Sequence, residues 1–512
     1  MRTARAPTTA ARELSDRRRA VVGAVPTRMA TSADTPQERA RRRLVKMILV
    51  IYLLAIFEGS IRKYVVPQFG QYVFFIRDPF LIYAYGLATL FGLWPKNNLL
   101  FKISVFMCGF GVLLFCLQTA VFGFDNTRVL LGIYGWRSYF LYVPLAFLIG
   151  AQFRKTDLRL FAKVTLALAV PIAVLVVLQF AAPPGAPINV GVAEEQELQF
   201  KSVGLSAERI RTNGPFTSPA GQQQFIAVAF AFLLAMLLTS KNRPGVAFLA
   251  VTGSATLTCL ALSGSRGAML LCGLIGVFAL GLAVVGRGMA IKAKALLLPA
   301  FLGVAALALY PIVFPEGFAA FMARWEHAAQ AEAGIRGGVL GRSVLGLLIF
   351  TRLFDEVPAF GYGLGYGGNA SQILRATVDG VSPWTLAEAD FSRHMVDLGP
   401  VFGLLYIGYR IAVVVWLARL VLRATRGDAD PMAMLLFAYA SYSVVFGQIT
   451  GQGTINVFGW MFTGLCIAAA RESLQSRQSP RAAHFIAAGR PRLRADLTSR
   501  LQTTLITKDR RS

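Results

Sequence analysis

Long, uninterrupted apolar blocks constrain this chain more than any other feature. A run of 18 or more apolar residues is long enough to cross about 30 Å of hydrocarbon as a helix, and roughly twelve such blocks occur. They are 44–61, 72–93, 101–124, 129–150, 159–182, 219–239, 246–263, 267–286, 295–314, 395–420, 432–449 and 454–470. Only 15% of the residues are charged, against about 25% in an ordinary soluble domain. Helices are the expected elements, because each satisfies its own backbone polar groups within lipid. A membrane β-barrel would alternate apolar and polar positions, and these blocks do not. The expected fold class is therefore all-α: a polytopic transmembrane helical bundle.

Charge orients the bundle. The formal net charge is +26, concentrated in two tails. Residues 1–46 hold twelve Arg or Lys against four acids, and residues 471–512 hold ten against three. With the N-terminus in the cytoplasm, the connections Lys96–Lys102, Arg154–Lys163, Lys241–Arg243, Arg287–Lys294 and Arg419–Arg426 all fall on that side, and all are basic. This is a positive-inside pattern. It places both termini in the cytoplasm and the two long connections, 183–218 and 315–394, outside. The expected organisation is a disordered basic tail (1–43), helices one to nine (44–314), a periplasmic loop between helices nine and ten (315–394), helices ten to twelve (395–470) and a second basic tail (471–512). Residues 1–43 have no apolar core and predict no cleavable signal peptide. The tails suit anionic lipid headgroups. Nothing resembles the basic and aromatic interleaving of a nucleic-acid surface. The five cysteines lie inside predicted spans, without metal-ligand or disulfide spacing.

The long external loop carries amphipathic spacing. Phe318, Phe321, Met322 and Trp325 recur at helical intervals, and so do Val339, Val344, Leu347, Leu348 and Phe350. Such helices either lie on the outer bilayer surface or pack on the bundle. The glycine-rich run Pro358 to Gly368 contains a GxGxxG string, but no βαβ unit surrounds it. Its glycines predict a tight backbone path near the membrane surface.

Several charges fall at the external rim. Arg211 precedes the sixth helix and His394 opens the tenth, beside Arg393, Asp390 and Glu388. Arg266 is the only charge in roughly forty residues, at the membrane rim, where a polar group is a functional candidate by default. A guanidinium there suits bidentate phosphate binding. A generic interfacial arginine is more often a snorkelling charge. Glu58, Arg62, Arg77 and Asp78 are expected to form a buried ion network between the first two helices, with a substrate role as the alternative. Arg137 and Arg410 lie within apolar stretches, and Arg410 is expected to snorkel inward. Gln448, Thr450, Gln452, Thr454 and Asn456 in the last hairpin suit sugar hydroxyls or an ordinary turn.

The order of these elements resembles the O-antigen ligase and O-antigen polymerase membrane family. The resemblance rests on Arg211-Thr-Asn-Gly-Pro-Phe-Thr-Ser-Pro before one helix and Leu262-Ser-Gly-Ser-Arg-Gly between two. It continues with a long external loop closing on Gly361-Tyr-Gly-Leu-Gly, and then His394-Met-Val-Asp-Leu-Gly-Pro-Val-Phe-Gly. It covers roughly residues 130–470. Pro219-Ala220 and Arg393-His394-Met395 depart from the family's usual Pro-Asn and His-Asn. Glu58-Gly-Ser-Ile-Arg-Lys63 and Ile76-Arg-Asp-Pro79 mark a separate branch.

The resemblance implies a metal-independent glycosyltransferase of the bacterial inner membrane, needing no cofactor. Its donor would be a glycan on a polyprenyl diphosphate at the outer leaflet, and its acceptor a glycan or a lipid. Arg211 and Arg266 match arginines thought to hold the diphosphate. His394 matches a histidine proposed to activate the acceptor hydroxyl. Arg393, Glu388, Asp390 and Arg137 are the supporting candidates, and envelope polysaccharide-assembly proteins are the possible partners. Two other functions compete: a transporter or flippase of lipid-linked glycans, which favours repeats and polar groups at mid-membrane, and a non-catalytic envelope scaffold, which tolerates loss of both arginines.

Overall fold

A computed structural model describes residues 35–189, 202–203, 209–239, 244–285, 297, 308, 310–319, 322, 349–378, 380–387, 389–425 and 431–476. The described residues form an all-helical bundle, apart from one antiparallel pair of two-residue strands, β1 (Ser202–Val203) and β2 (Arg209–Ile210). Among the described residues, six helices are long and apolar enough to cross a membrane: α1 (Pro36–Ser60, continued as a π turn to Val65), α3 (Leu99–Phe122), α6 (Lys155–Ala181), α7 (Pro219–Leu238), α11 (Pro400–Thr425) and α13 (Gly453–Ser476). Between them lie α2 (Asp78–Leu90), α4 (Asn126–Trp136), α5 (Val143–Gln152), α8 (Val246–Leu262), α9 (Arg266–Val285), α10 (Asp390–Leu398) and α12 (Met432–Val445).

The helices sort by burial. In α13, 94% of the apolar window is buried, and in α7 83%, against 17% in α3. Thus α7 and α13 form the centre. α3 turns Val105, Phe106 and Leu113 outward, an apolar surface suited to lipid. These helices make the chain a multi-pass membrane protein.

Several boundaries differ from the sequence expectation, each for a local reason. α1 starts at Pro36, inside the expected tail, because Thr35 caps the Glu38 amide at 3.2 Å and proline opens the first turn. Glu38 then pairs with Arg154 at 2.6 Å, and Arg41 with Asp157 at 2.6 Å. The expected span 72–93 is broken. A short helix ends at Val73, and α2 begins only at Asp78, with Pro79 in its first turn. The span 129–150 is interrupted by a π-helical segment, Arg137–Leu141. The span 395–420 is split at Gly399, whose φ of 81° ends α10. The last helix runs on to Ser476, because Arg471 donates to the Ala151 and Phe153 carbonyls at the end of α5. Most of 295–314 lies outside the described residues, as do Phe321, Trp325, Val339, Val344, Leu347 and Leu348. Phe350 sits in a 3-10 turn, Ile349–Phe354.

Helix ends gather at two poles. At one pole Gln152 donates to the Leu93 carbonyl at 2.6 Å, and the Lys155 amide meets Glu472 at 3.2 Å. At the other, the long-loop pole, Ser60 N–H donates to the Pro215 carbonyl at 2.9 Å and Tyr310 donates to the Ala261 carbonyl at 2.6 Å. Gly59 makes the first of these contacts possible: a β-carbon there would lie 2.2 Å from the Phe216 carbonyl carbon. The described candidate residues at the rim collect at this second pole.

Candidate functional site

Arg211 lies on the segment that follows β2, and that segment is pinned from two sides. Gln179 accepts the Gly214 amide at 2.8 Å and donates to the Gly214 carbonyl at 3.1 Å. Thr212 donates to the Leu262 carbonyl at 3.2 Å, fixing Arg211 beside the end of α8. Arg266 is the first residue of α9. Ser265 accepts the Ala268 amide at 3.2 Å, an N-cap that aims the helix start at the same place. Burial, and then the neighbouring Arg266, lower the Arg211 pKa to about 10. The two charges thus lie within electrostatic range of each other, and the buried Nε of Arg211 has no hydrogen-bond partner among the described residues. Such an arrangement stabilises an anion with several oxygens.

Around α10 the charges are fully internal. Asp390 meets Arg410 at 2.5 Å and Arg393 at 3.0 Å, and accepts from the Thr450 hydroxyl at 2.8 Å. Burial alone would raise its pKa; Arg410 leads the opposing interactions that hold it down to about 2. His394 is 0% exposed. Its Nε2 faces Arg410 Nη1 at 2.5 Å, and its Nδ1 faces the Tyr139 hydroxyl at 3.1 Å. A guanidinium only donates, so Nε2 accepts and Nδ1 carries the proton. Burial, opposed by Asp390 and reinforced by Arg410 and Arg393, keeps this imidazole neutral, well below its ordinary pKa. Tyr139 passes the polarity on by donating to Asp397 at 3.0 Å. His394 is therefore not at an open mouth of the bundle, as its position in the sequence suggests. It is the middle of a directed chain running Arg410, His394, Tyr139, Asp397. Arg410 does not snorkel inward either. It reaches the Val444 carbonyl at 2.6 Å, the Gly447 carbonyl at 3.2 Å and Asp390, all near the long-loop pole.

From Gly361 to Gly368 the glycine-rich run is buried, while Ala359 and Phe360 before it are exposed. Asp397 accepts the Gly367 amide at 2.6 Å, and Arg393 donates to the Gly367 carbonyl at 2.8 Å. Gln118 clamps the run further, accepting the Leu364 amide at 2.9 Å and donating to the Phe360 carbonyl at 2.7 Å. A β-carbon on Gly365 would lie 2.2 Å from the Leu131 carbonyl oxygen, so the tight path inferred from the glycines is real.

The turn between α12 and α13 joins these groups. Thr450 holds Asp390, while two residues on Gln452 meets Ser218, the N-cap of α7, at 3.4 Å. Arg393 packs on Gly451 and Arg77 on Gly453, each where a β-carbon would otherwise be. Arg77 pairs with Glu58 at 2.9 Å, and Arg137 with Asp78 at 2.5 Å. Arg137 also stacks over Phe74 at 4.1 Å. Of the expected ion network between the first two helices, the Glu58–Arg77 pair is present, Asp78 pairs with Arg137 instead, and the buried Nε of Arg62 has no hydrogen-bond partner among the described residues.

No family model matches the chain, and no curated protein matches it.

Sequence reading placed Arg211 and Arg266 apart by 55 positions, and the fold brings them together. It also brings Arg393, Asp390 and His394 into one cluster. Arg137 belongs to the Asp78 pair instead, and Glu388 lies outside the described residues. Three residues in a row were missed. Gln222 donates to Thr212 at 3.0 Å, Gln223 accepts from Ser265 at 3.1 Å, and Gln224 accepts from Tyr439 at 2.7 Å. The signal was present, because three consecutive amides in an otherwise apolar helix all need partners away from water. Gln118 carries the same signal in α3.

Proposed function

We propose that this chain is a multi-pass glycosyltransferase of the bacterial inner membrane, with roughly twelve spans, both termini in the cytoplasm and its large loop in the periplasm. It transfers or polymerises glycans carried on a polyprenyl diphosphate, resembling the O-antigen ligases and polymerases. The observation that carries this reading is that Arg211 and Arg266, from distant parts of the sequence, are mounted within electrostatic range of each other at the long-loop pole, where Thr212 bonds the end of α8 and Gln222 and Gln223 of α7 bond Thr212 and Ser265. Preorganised cations aimed at a leaving diphosphate lower the barrier by stabilising the charge that develops there.

In the proposed reaction the acceptor hydroxyl attacks the anomeric carbon. The bond from that carbon to the diphosphate oxygen breaks, the electron pair stays on that oxygen, and the arginines stabilise the lipid diphosphate as it leaves. The hydroxyl proton goes to a base in the α10 cluster. His394 is the proposed base; with Nε2 on Arg410, it takes that proton only once the Arg410 contact opens. The anomeric diphosphate bond itself supplies the driving force.

The test is reconstitution of the full chain with a polyprenyl-diphosphate oligosaccharide. A product ladder identifies a polymerase, and a single addition a ligase. Arg266→Ala is expected to abolish product while the protein remains in the membrane. Normal product from that variant, or none from the wild type, rejects the proposal.

A further inference from the structure

Adjacent residues on α7 brace the two sites. Gln222 is 0% exposed and donates to the Thr212 hydroxyl at 3.0 Å, next to Arg211. Thr212 in turn donates to the Leu262 carbonyl at 3.2 Å, so the brace spans from α7 to the end of α8. Gln223 accepts from the Ser265 hydroxyl at 3.1 Å, next to Arg266. Gln223 also covers the other flank of Arg266: a β-carbon on Gly267 would lie 2.7 Å from its Oε1. One stiff helical turn therefore mounts both arginine-bearing segments on neighbouring residues.

From this juxtaposition we infer that Gln222 and Gln223 are positioning residues that fix the separation of Arg211 and Arg266 for a diphosphate. The inference rests on the proposed role of the two arginines. α7 is the second most buried long helix, so its first turns are a rigid mount, and a rigid mount is what preorganised binding requires. Neither amide needs to touch the ligand. Each sets the backbone from which a guanidinium projects.

The experiment measures binding of farnesyl diphosphate to the purified full chain in nanodiscs, with inorganic pyrophosphate and farnesyl monophosphate as comparison probes. Gln223→Leu keeps the side-chain size and loses the acceptor; it is expected to weaken farnesyl diphosphate binding about tenfold. Ser265→Ala and Thr212→Val remove the bridging hydroxyls and are expected to act in the same direction, which keeps the test open if Gln222→Leu fails to fold. In the Arg266→Ala background, Gln223→Leu is expected to add almost nothing, because it acts through that arginine. A merely structural role would lower the melting temperature and multiply with Arg266→Ala. Weak binding by Arg266→Ala with unchanged binding by Gln223→Leu, or losses that simply multiply, overturns the inference and leaves the arginine reading standing. Unchanged binding by Arg266→Ala overturns the arginine reading itself.

Discussion

At the scale of single residues, Asp390 has the most partners to lose. Arg410, Arg393 and Thr450 all converge on its carboxylate, and the first two are themselves buried. Asp390→Asn removes the charge and leaves two guanidiniums uncompensated. The expected cost is about 3–5 kcal/mol, read as a fall in melting temperature in detergent. The pH dependence has a definite sign. Folded Asp390 holds its proton only near pH 2, against an ordinary value of 3.8. Its contribution to stability is therefore complete above about pH 4 and fades as pH falls toward 2. Melting curves across that window are expected to drop in the wild type, and the Asp390→Asn variant is expected to lack this part of the drop. An identical acid response in both proteins would refute the assignment.

At the scale of elements, the break between α10 and α11 decides where the cluster points. Gly399 adopts φ 81° there, and a β-carbon would lie 2.2 Å from the Ala359 carbonyl oxygen. Without that break α10 would continue α11 as one straight helix, and Asp390 and His394 could not fold back toward Arg410. Gly399→Ala is expected to cost about 1–3 kcal/mol in backbone conformation alone, because φ 81° with ψ 167° is a region only glycine enters readily, with the clash against Ala359 in addition. A melt that does not move would show that the turn tolerates a side chain. The π segment Arg137–Leu141 works similarly. It rotates Arg137 toward Asp78 while Tyr139, two residues on, reaches His394. π bulges recur at functional positions for this reason: the extra residue redirects neighbouring side chains. No apolar count could reveal this bulge, because 129–150 has the same composition with or without it.

At the scale of the whole molecule, the two poles make the topology testable. Lys96 and Asn97 lie in the short connection near Leu93, at the pole of α5 and α6, and Gly380 and Val381 are exposed near the opposite pole. In a background with the native cysteines replaced, a cysteine at Val381 is expected to react with an impermeant thiol reagent added outside intact cells. One at Asn97 is expected to react only after the membrane is opened. Reversed labelling would place the arginine pair away from a donor at the outer leaflet.

How much of this was legible depends on what carries the signal. The existence of a helical bundle and the clustering of polar residues at helix ends follow from hydropathy, which is a property of the linear chain. Lone charges such as Arg266, Glu58 and Arg77 were visible as exceptions within apolar surroundings, and the Glu58–Arg77 pair could be expected because its helices are neighbours in sequence. Which distant residues meet was not legible. Arg211 and Arg266, Gln118 and Gly367's loop, or Arg410 and His394 are brought together by packing among several helices, and many packings satisfy the same hydropathy. Sequence alone determined that this chain must bury its backbone in helices within a bilayer, since any other state strands polar groups in hydrocarbon. Tertiary structure alone decided that the segments bearing Arg211 and Arg266 are braced by one helix and that His394 is held inside a network, since only the assembled packing sets distances between side chains on different helices.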